Sequence, residues 1–395
     1  MLKNLRIQNF KILKNISLEL SNLNILSGLN GMGKSSVVQA LLLLRQSYLA
    51  KALPDKGLLL RVNEGESLTE IGTGNDALSK EVEERDNPIS FELETELEKS
   101  AKFFFDYLRK EDDSNPDQLI QLRRNPLLRK NTTLSSFSAK IFEESLFKHD
   151  GFFQYLYAER IGPKEFNDTN FGYIEQRNLG KFGQYALHYL DTYQKASVKN
   201  TAVHHPKTTK GRENLLEQVS YWLSDITPNT RMRTEYLLDI DKVKGEFNID
   251  DNDSFKPTNV GFGLTYVLPV IIALLTVEEG GMLIIENPES HLHPAGQSKM
   301  TELIAKCAAS GRQIFIETHS DHIIHGIMVA TYENSKDSLQ GISNELVKMY
   351  YFEKSKNNPK TAEPTPIALS ETGRIKNAPQ GFFDQFNIDL KRMLQ

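Results

Sequence analysis

Two short stretches hold side chains able to do chemistry. Gly28 to Ser36 reads GLNGMGKSS and fits G-x-x-x-x-G-K-[ST] at every fixed position. Glycines at 28, 31 and 33 allow a tight loop whose backbone N–H groups turn inward around phosphate oxygens, and a following helix start adds its dipole. Lys34 would reach the β- and γ-phosphates, and Ser35 would offer its hydroxyl to Mg²⁺. The expected nucleotide-binding set is Gly28, Asn30, Gly31, Met32, Gly33, Lys34, Ser35 and Ser36, with ATP and Mg²⁺ as ligands. In a chain of this length such a match arises by chance on the order of once in a hundred. The strand and helix expected around it make chance a poor explanation.

The second stretch, ENPESHLHP from Glu286 to Pro294, has two carboxylates split by Asn-Pro and then two histidines. By residue type alone it suits a metal site, an acid/base pair, or one part of a nucleotide site assembled from distant segments. His291 and His293 are two apart, and His319, His322 and His325 recur every three residues. Such sets can bind zinc or iron, but a helix surface explains His322 and His325 as well.

These residues need elements to carry them. LRIQNF, ISLEL and LNILSG alternate apolar and polar residues and read as short strands. SSVVQALLLLRQSYLA has apolar residues along its whole length and good helix formers, and reads as a mostly buried helix opening at the glycine-rich turn. PISFELETE alternates at Ile89, Phe91 and Leu93, a strand with one wet face. From about 97 to 150 the pattern reads as mostly helical, acidic over Asp106–Asp117 and basic at Arg123, Arg124, Arg129 and Lys130. That basic cluster could touch a nucleic-acid backbone, or be a solvated helix face. GFFQYLYAERIGP returns to strand character. Arg160 and Lys164 follow its end, where they could sense a γ-phosphate or form ordinary ion pairs. Gln194 to Arg212 reads as a mobile loop, and RTEYLLDIDKVKGEFNID as a hairpin. Then a glycine-rich turn, an apolar helix, the strand GMLIIE, a helix over Gln297–Ala309 and the strand RQIFIET alternate. That order predicts a parallel sheet covered on both faces.

The 395 residues carry a net charge of −5, with 39% hydrophobic and 25% charged residues. That balance is ordinary for a soluble globular chain and argues against one that coats nucleic acid everywhere. With one cysteine, Cys307, neither an intrachain disulfide nor a cysteine-cluster metal site can form, as expected of a cytoplasmic protein. The longest apolar run, Val267 to Val277, is too short to cross a bilayer, so no membrane is expected.

Order and spacing together resemble a known family. The opening LRIQNFKILKNISLELSNLNILSGLNGMGKSSVVQAL resembles the N-terminus of ABC-type ATPase heads of the SMC and OLD group. NVGFGLTYVLPVI falls where that group carries its signature turn and helix. GMLIIENPESHLHPAGQ looks like its Walker B strand and D-loop, and IFIETHSDHI like its switch-histidine strand. The similarity is close over residues 1–50 and 255–330 and loose between. It is greatest to compact, stand-alone bacterial ATPases related to OLD, where AERIGP (Ala158 to Pro163) and GFFDQF (Gly381 to Phe386) also occur. The OLD nucleases carry a Toprim domain with an Asp-x-Asp pair; none follows Ser320 here, so that nuclease is expected to be absent.

The resemblance implies an α/β fold: an ABC-type P-loop ATPase head with a mixed or parallel central sheet, an antiparallel β subdomain and a helical insertion. It divides the chain into an N-terminal lobe with Walker A (1–96), a helical insertion with connecting strands (97–230), a C-terminal lobe with signature, Walker B, D-loop and switch histidine (231–330), and an accessory segment (331–395). Glu286 takes the metal position together with Ser35. Asn287 stands where a glutamate usually polarises the attacking water. Glu289 is the nearest spare carboxylate and either serves that water or caps the following helix. His319 is implied near the γ-phosphate. Gly261 and Gly263 form the signature turn, which lacks the usual serine, so Asn259 or Thr258 would supply side-chain recognition. Two copies would close head-to-tail around two ATP molecules, as a homodimer or within a higher homo-oligomer. Hydrolysis would be slow. The output would go to an effector protein encoded nearby or to DNA or RNA, in DNA maintenance or antiviral defence by analogy. The competing expectation is a nucleotide-gated scaffold that binds ATP, barely hydrolyses it and holds an effector inactive. A metal hydrolase built on the histidines is the third.

Overall fold

The computed structural model describes residues 1–395 apart from 54–56, 63–66, 82–87, 97–99, 107–118, 123–139, 150, 250–252, 380, 384 and 395. The chain forms two compact units, each assembled from segments far apart in sequence.

The first unit comprises Met1–Ser21, Leu26–Lys148 and Lys348–Pro366. The strands β1 (Leu2–Phe10) and β2 (Leu13–Glu19) form a hairpin, followed along the chain by β3 (Leu23–Gly28). With β4 (Gly57–Leu59), β5 (Ile89–Thr95), β6 (Ser100–Asp106) and β7 (Leu119–Leu122), the hairpin builds an antiparallel sheet ordered β2-β1-β5-β6-β7-β4. This is the expected antiparallel β subdomain. Leu5, Ile7, Phe91 and Leu93 alternate into its buried face. The helix α1 (Lys34–Leu49) opens after β3 and is buried on nearly every side, as its many apolar residues predict. Even Arg45 is buried, its guanidinium donating to the carbonyls of Leu146 and Lys148 at 2.6 and 2.8 Å. Desolvation pulls its pKa down to about 9.

The helical reading of residues 97–150 does not hold among the described residues, which form β6, β7 and two 3₁₀ turns. Ala101, Phe103 and Phe105 of β6 are buried while Ser100 and Lys102 are exposed, a period of two masked in sequence by three consecutive phenylalanines. Pairing with β5, Phe91 opposite Phe103, supplies the partner that local pattern could not show. Arg123, Arg124, Arg129, Lys130 and most of the acidic run lie outside the described residues.

The second unit comprises Asn22–Ile25, His149–Val347 and Ile367–Gln395. Parallel strands form one of its sheets. The strand β13 (Met282–Glu286) lies between β14 (Gln313–Glu317) and β8 (Phe153–Leu156). Asn22 accepts a hydrogen bond from Ile314 N–H at 2.6 Å on the other side of β14. Every residue of β8, β13 and β14 is buried, as expected of strands covered on both faces. Among the described residues, the helices of eight residues or more in this unit are α2 (Ala186–Tyr193), α3 (Leu215–Ile226), α4 (Phe262–Thr276), α5 (Pro294–Ala309), α6 (Asp321–Lys336) and α7 (Gln385–Met393). A Cβ at Gly326 of α6 would meet Thr301 of α5 at 2.7 Å, so the two helices cross closely. The predicted hairpin is β10 (Thr230–Leu237) with β11 (Lys242–Ile249); β9 (Phe166–Asp168) and β12 (Asp253–Phe255) also pair with β11.

The stretch 194–212, expected to be a mobile loop, is exposed over most of its length but anchored by the buried Val198, Val203 and His205. Trp222 donates its indole N–H to Val203 O at 3.0 Å, and the buried His205 sits 3.0 Å from the Asp225 carboxylate. Gln218 of α3 also accepts from His205 N–H at 2.8 Å, so α3 is a tertiary partner that a loop-like composition conceals.

Candidate functional site

In the first unit the phosphate-loop motif has the expected strand–turn–helix setting. Gly28, Gly31 and Gly33 all have positive φ, of 129°, 75° and 95°. A Cβ at Gly28 would lie 2.3 Å from Phe352 O, and one at Gly33 would lie 2.6 Å from Leu13 Cδ2. Space and backbone conformation therefore both demand glycine there. Lys34 is 3% exposed, and its ammonium donates to the carbonyls of Gly28 and Leu29 at 2.9 and 2.8 Å. The cation is thus held over the loop. Asn30, Gly31 and Ser35 are exposed, Met32 is half-buried and Ser36 is buried. No acidic side chain stands in the first turn of α1 to offset its positive end.

In the second unit the carboxylates gather at the C-terminal ends of parallel strands, where open α/β sheets place ligands. Glu286 ends β13 directly opposite Glu317, which ends β14, and both are 7% exposed. Tyr155, from β8 on the other side of β13, donates its hydroxyl to Glu286 Oε1 at 2.8 Å. Burial pushes the Glu286 carboxyl up to about 7. The Tyr155 hydrogen bond opposes the rise, and the negative charge of Glu317 adds to it. Beyond Glu286 the chain turns sharply. Asn287 has φ 45° and is followed by Pro288, and its N–H donates to Glu317 O at 2.8 Å. Left-handed backbone is one reason an asparagine, rather than a glutamate, stands here.

The turn delivers Glu289 to the end of β14. Its Oε1 accepts from Thr318 Oγ1 at 2.8 Å and from His319 N–H at 3.0 Å. Burial raises its pKa while these hydrogen bonds hold it down. The alternative role for Glu289, capping the next helix, is excluded: His293 is the N-cap of α5, its Nδ1 accepting from Ala295 N–H at 3.3 Å. Among the described residues, Asn287 Oδ1 and Glu289 Oε2 are buried without a hydrogen-bond partner. They leave acceptor capacity for water or a donor group. Each taken by itself, the lysine-bearing loop suits phosphate oxygens and the carboxylate cluster suits a cation.

The signature turn is also in the second unit. Gly261 is the N-cap of α4, exposed, with no atom within 4 Å of its ideal Cβ. Gly263 differs: a Cβ there would meet His291 O at 2.6 Å. Asn259 closes a 3₁₀ turn with Pro257 and Thr258 just before it. His291 packs against the Tyr266 ring at 4.7 Å, His322 lies 3.8 Å from the Asp321 carboxylate, and His325 is exposed. Among the described residues no three His, Cys, Asp or Glu side chains come together as a metal-ligand group. The histidines therefore have separate surroundings.

Sequence reasoning missed Tyr155, Glu317 and Thr318, because strand pairing alone brings them to Glu286 and Glu289. It noticed Arg160 but gave it the wrong surroundings. The guanidinium is 3% exposed and donates to the carbonyls of Glu286 and Asn287, so it is engaged with backbone.

A protein-family model described as "AAA domain, putative AbiEii toxin, Type IV TA system" matches residues 23–325. A second, "Protein of unknown function (DUF3696)", matches residues 342–393. No curated protein matches the chain. Similar solved structures include an SMC head domain from Thermotoga maritima, at 11% identity and TM-score 0.43, covering 93% of this chain and 99% of that one. An SMC head bound to the C-terminal winged-helix domain of ScpA has 14% identity and TM-score 0.45, covering 93% and 98%. An SMC head with an extended coiled coil, bound to the C-terminal domain of ScpA derived from Pyrococcus furiosus, has 12% identity and TM-score 0.45, covering 100% and 99%.

Proposed function

The chain belongs to this AAA-domain family, an ATP-binding P-loop ATPase family, and on that premise we propose that it is a slow ATPase whose nucleotide state switches a partner. The observation that carries the reading is the Gly28–Ser36 loop. Its three glycines have positive φ, and Lys34 is buried at the mouth of a sixteen-residue helix. Loop N–H groups and Lys34 bind the β- and γ-phosphates, and Ser35 and Glu286 hold Mg²⁺. Mg²⁺ held there would supply positive charge to offset that of the phosphates. Glu289 takes a proton from the attacking water, Asn287 orients that water, and His319 lies near the γ-phosphate. Burial suits Glu289 to this work, because a raised pKa strengthens a carboxylate as a base near neutral pH.

The exposed Gly261, its backbone N–H at the start of α4, is the surface we assign to the γ-phosphate of a second copy. Gly263 keeps that helix start tight against the D-loop. ATP would then favour a head-to-tail homodimer, or a higher homo-oligomer, over separate chains. The receiver is an effector protein encoded nearby, or DNA or RNA, in the cytoplasm. Antiviral defence is the setting that analogy favours. Among the described residues no helix is long and apolar enough to cross a membrane.

One observation favours the second reading, a nucleotide-gated scaffold with little hydrolysis. No carboxylate stands at position 287, and Glu289 Oε1 is already engaged by Thr318 and His319. Steady-state turnover of the purified protein separates the two readings. Lys34→Ala tests both, because the phosphates lose their motif cation in a partly dry loop. ATP affinity should fall by about a hundredfold or more, measured by calorimetry. Unchanged affinity would remove the basis of either reading.

A further inference from the structure

We propose that Arg160 is a positioning residue for hydrolysis: it holds the strained Glu286–Asn287–Pro288 turn so that Glu289 faces the site. The inference rests on the ATPase reading above and adds a residue to it. Arg160 follows β8, and its chain position far from residues 286–289 gives no hint of the contact. One guanidinium nitrogen donates to Glu286 O at 2.8 Å and to Asn287 O at 3.0 Å, and the other to Asn287 O at 3.3 Å. A cation 3% exposed and spent on two consecutive carbonyls is a device for fixing backbone.

That backbone needs fixing. Asn287 sits at φ 45°, a left-handed conformation that a non-glycine residue adopts at some cost, and Pro288 crowds the residue before it. Strained backbone persists only where surrounding contacts over-determine it. Here Asn287 N–H is held by Glu317 O and Asn287 O by Arg160, and Asn287 O also accepts from Ser290 N–H at 3.1 Å. The output of the turn is the direction of Glu289, whose Oε1 lands on Thr318 and His319 at the neighbouring strand end. The same guanidinium is the cation that stabilises the charged forms of both Glu286 and Glu289. Lysine keeps the charge but not the planar fork that reaches two carbonyls at once.

On the reading above the phosphates are held by the loop's own N–H groups and Lys34, so loss of Arg160 should leave ATP binding nearly intact and lower turnover. The experiment compares wild type, Glu289→Gln, Arg160→Lys and Arg160→Met for kcat, KM and calorimetric affinity for ATP and ADP. Melting temperatures are taken alongside. Arg160→Lys should lose about tenfold in kcat and Arg160→Met about a hundredfold, with ATP affinity within about threefold of wild type. Guanidinium ion at low millimolar concentration should restore part of the lost turnover to Arg160→Met and none to Glu289→Gln. A merely structural role would lower the melting temperature without this rescue. Full kcat in both arginine variants overturns the proposal. So does a loss of ATP affinity that spares ADP, which would make Arg160 a γ-phosphate contact. Wild type with no turnover would instead remove the ATPase reading, and the positioning role with it.

Discussion

Replacing Glu286 by glutamine should make the nucleotide-free protein more stable at alkaline pH, although the residue is assigned to the metal. Glu286 is 7% exposed, lies opposite Glu317, and has its carboxyl pushed up to about 7 from an ordinary 4.5. Between those values the folded chain holds a proton that the unfolded chain has released. Stability must therefore fall as pH rises through the window from 4.5 to about 7, and the loss is complete above it. The full difference corresponds to about 3 kcal/mol. Glutamine keeps an oxygen for the Tyr155 hydroxyl but carries no charge to desolvate. The variant should match wild type near pH 4 and exceed it by up to about 3 kcal/mol near pH 8.5. Trp222, the only tryptophan in the sequence, is fully buried in the same unit, so its fluorescence during urea unfolding reports on that unit. The titrations are run in chelator, without nucleotide, at both pH values. A variant less stable than wild type at pH 8.5, or a difference independent of pH, would refute the claim that this carboxylate is held desolvated. Such a cost is what a site built to meet a cation would carry before the cation arrives.

The remaining expectations concern hydrolysis and the glycine turn. Glu289→Gln should cut steady-state turnover by about a hundredfold or more while ATP affinity is kept; if Asn287→Ala alone stops hydrolysis, Glu289 is structural and the assignment is wrong. Gly261→Asp places a carboxylate at a helix start with open space around it, so the fold should survive while light scattering shows no ATP-dependent dimer. An intact dimer would remove this turn from the contact. Gly263→Ala should behave oppositely and destabilise the fold by about 1–3 kcal/mol, because its methyl meets the His291 carbonyl at 2.6 Å. A melting curve unchanged from wild type would contradict that crowding.

What the sequence determined by itself was whatever a short, contiguous pattern can encode. Nine residues from Gly28 to Ser36 specify a loop and a helix start through glycine's backbone freedom, and no distant partner is needed to read them. Apolar runs at Met282–Ile285 and Ile314–Ile316 announced strands buried on both faces, and their parallel pairing followed from the helices between. Within residues 97–150, the described stretch Ser100–Asp106 was misread because three adjacent phenylalanines erase the alternation, and only β5 could decide that it is a strand. The second half of the candidate site depended on tertiary structure throughout. Parallel register sets Glu286 beside Glu317, and β8 brings up Tyr155 and Arg160. The turn at Asn287 carries Glu289 to Thr318 and His319 rather than onto α5. Residue types at 286–289 named carboxylates that could act. Their desolvation, and therefore their proton affinity, comes from neighbours remote in the chain, because burial and charge proximity are properties of space and not of sequence separation.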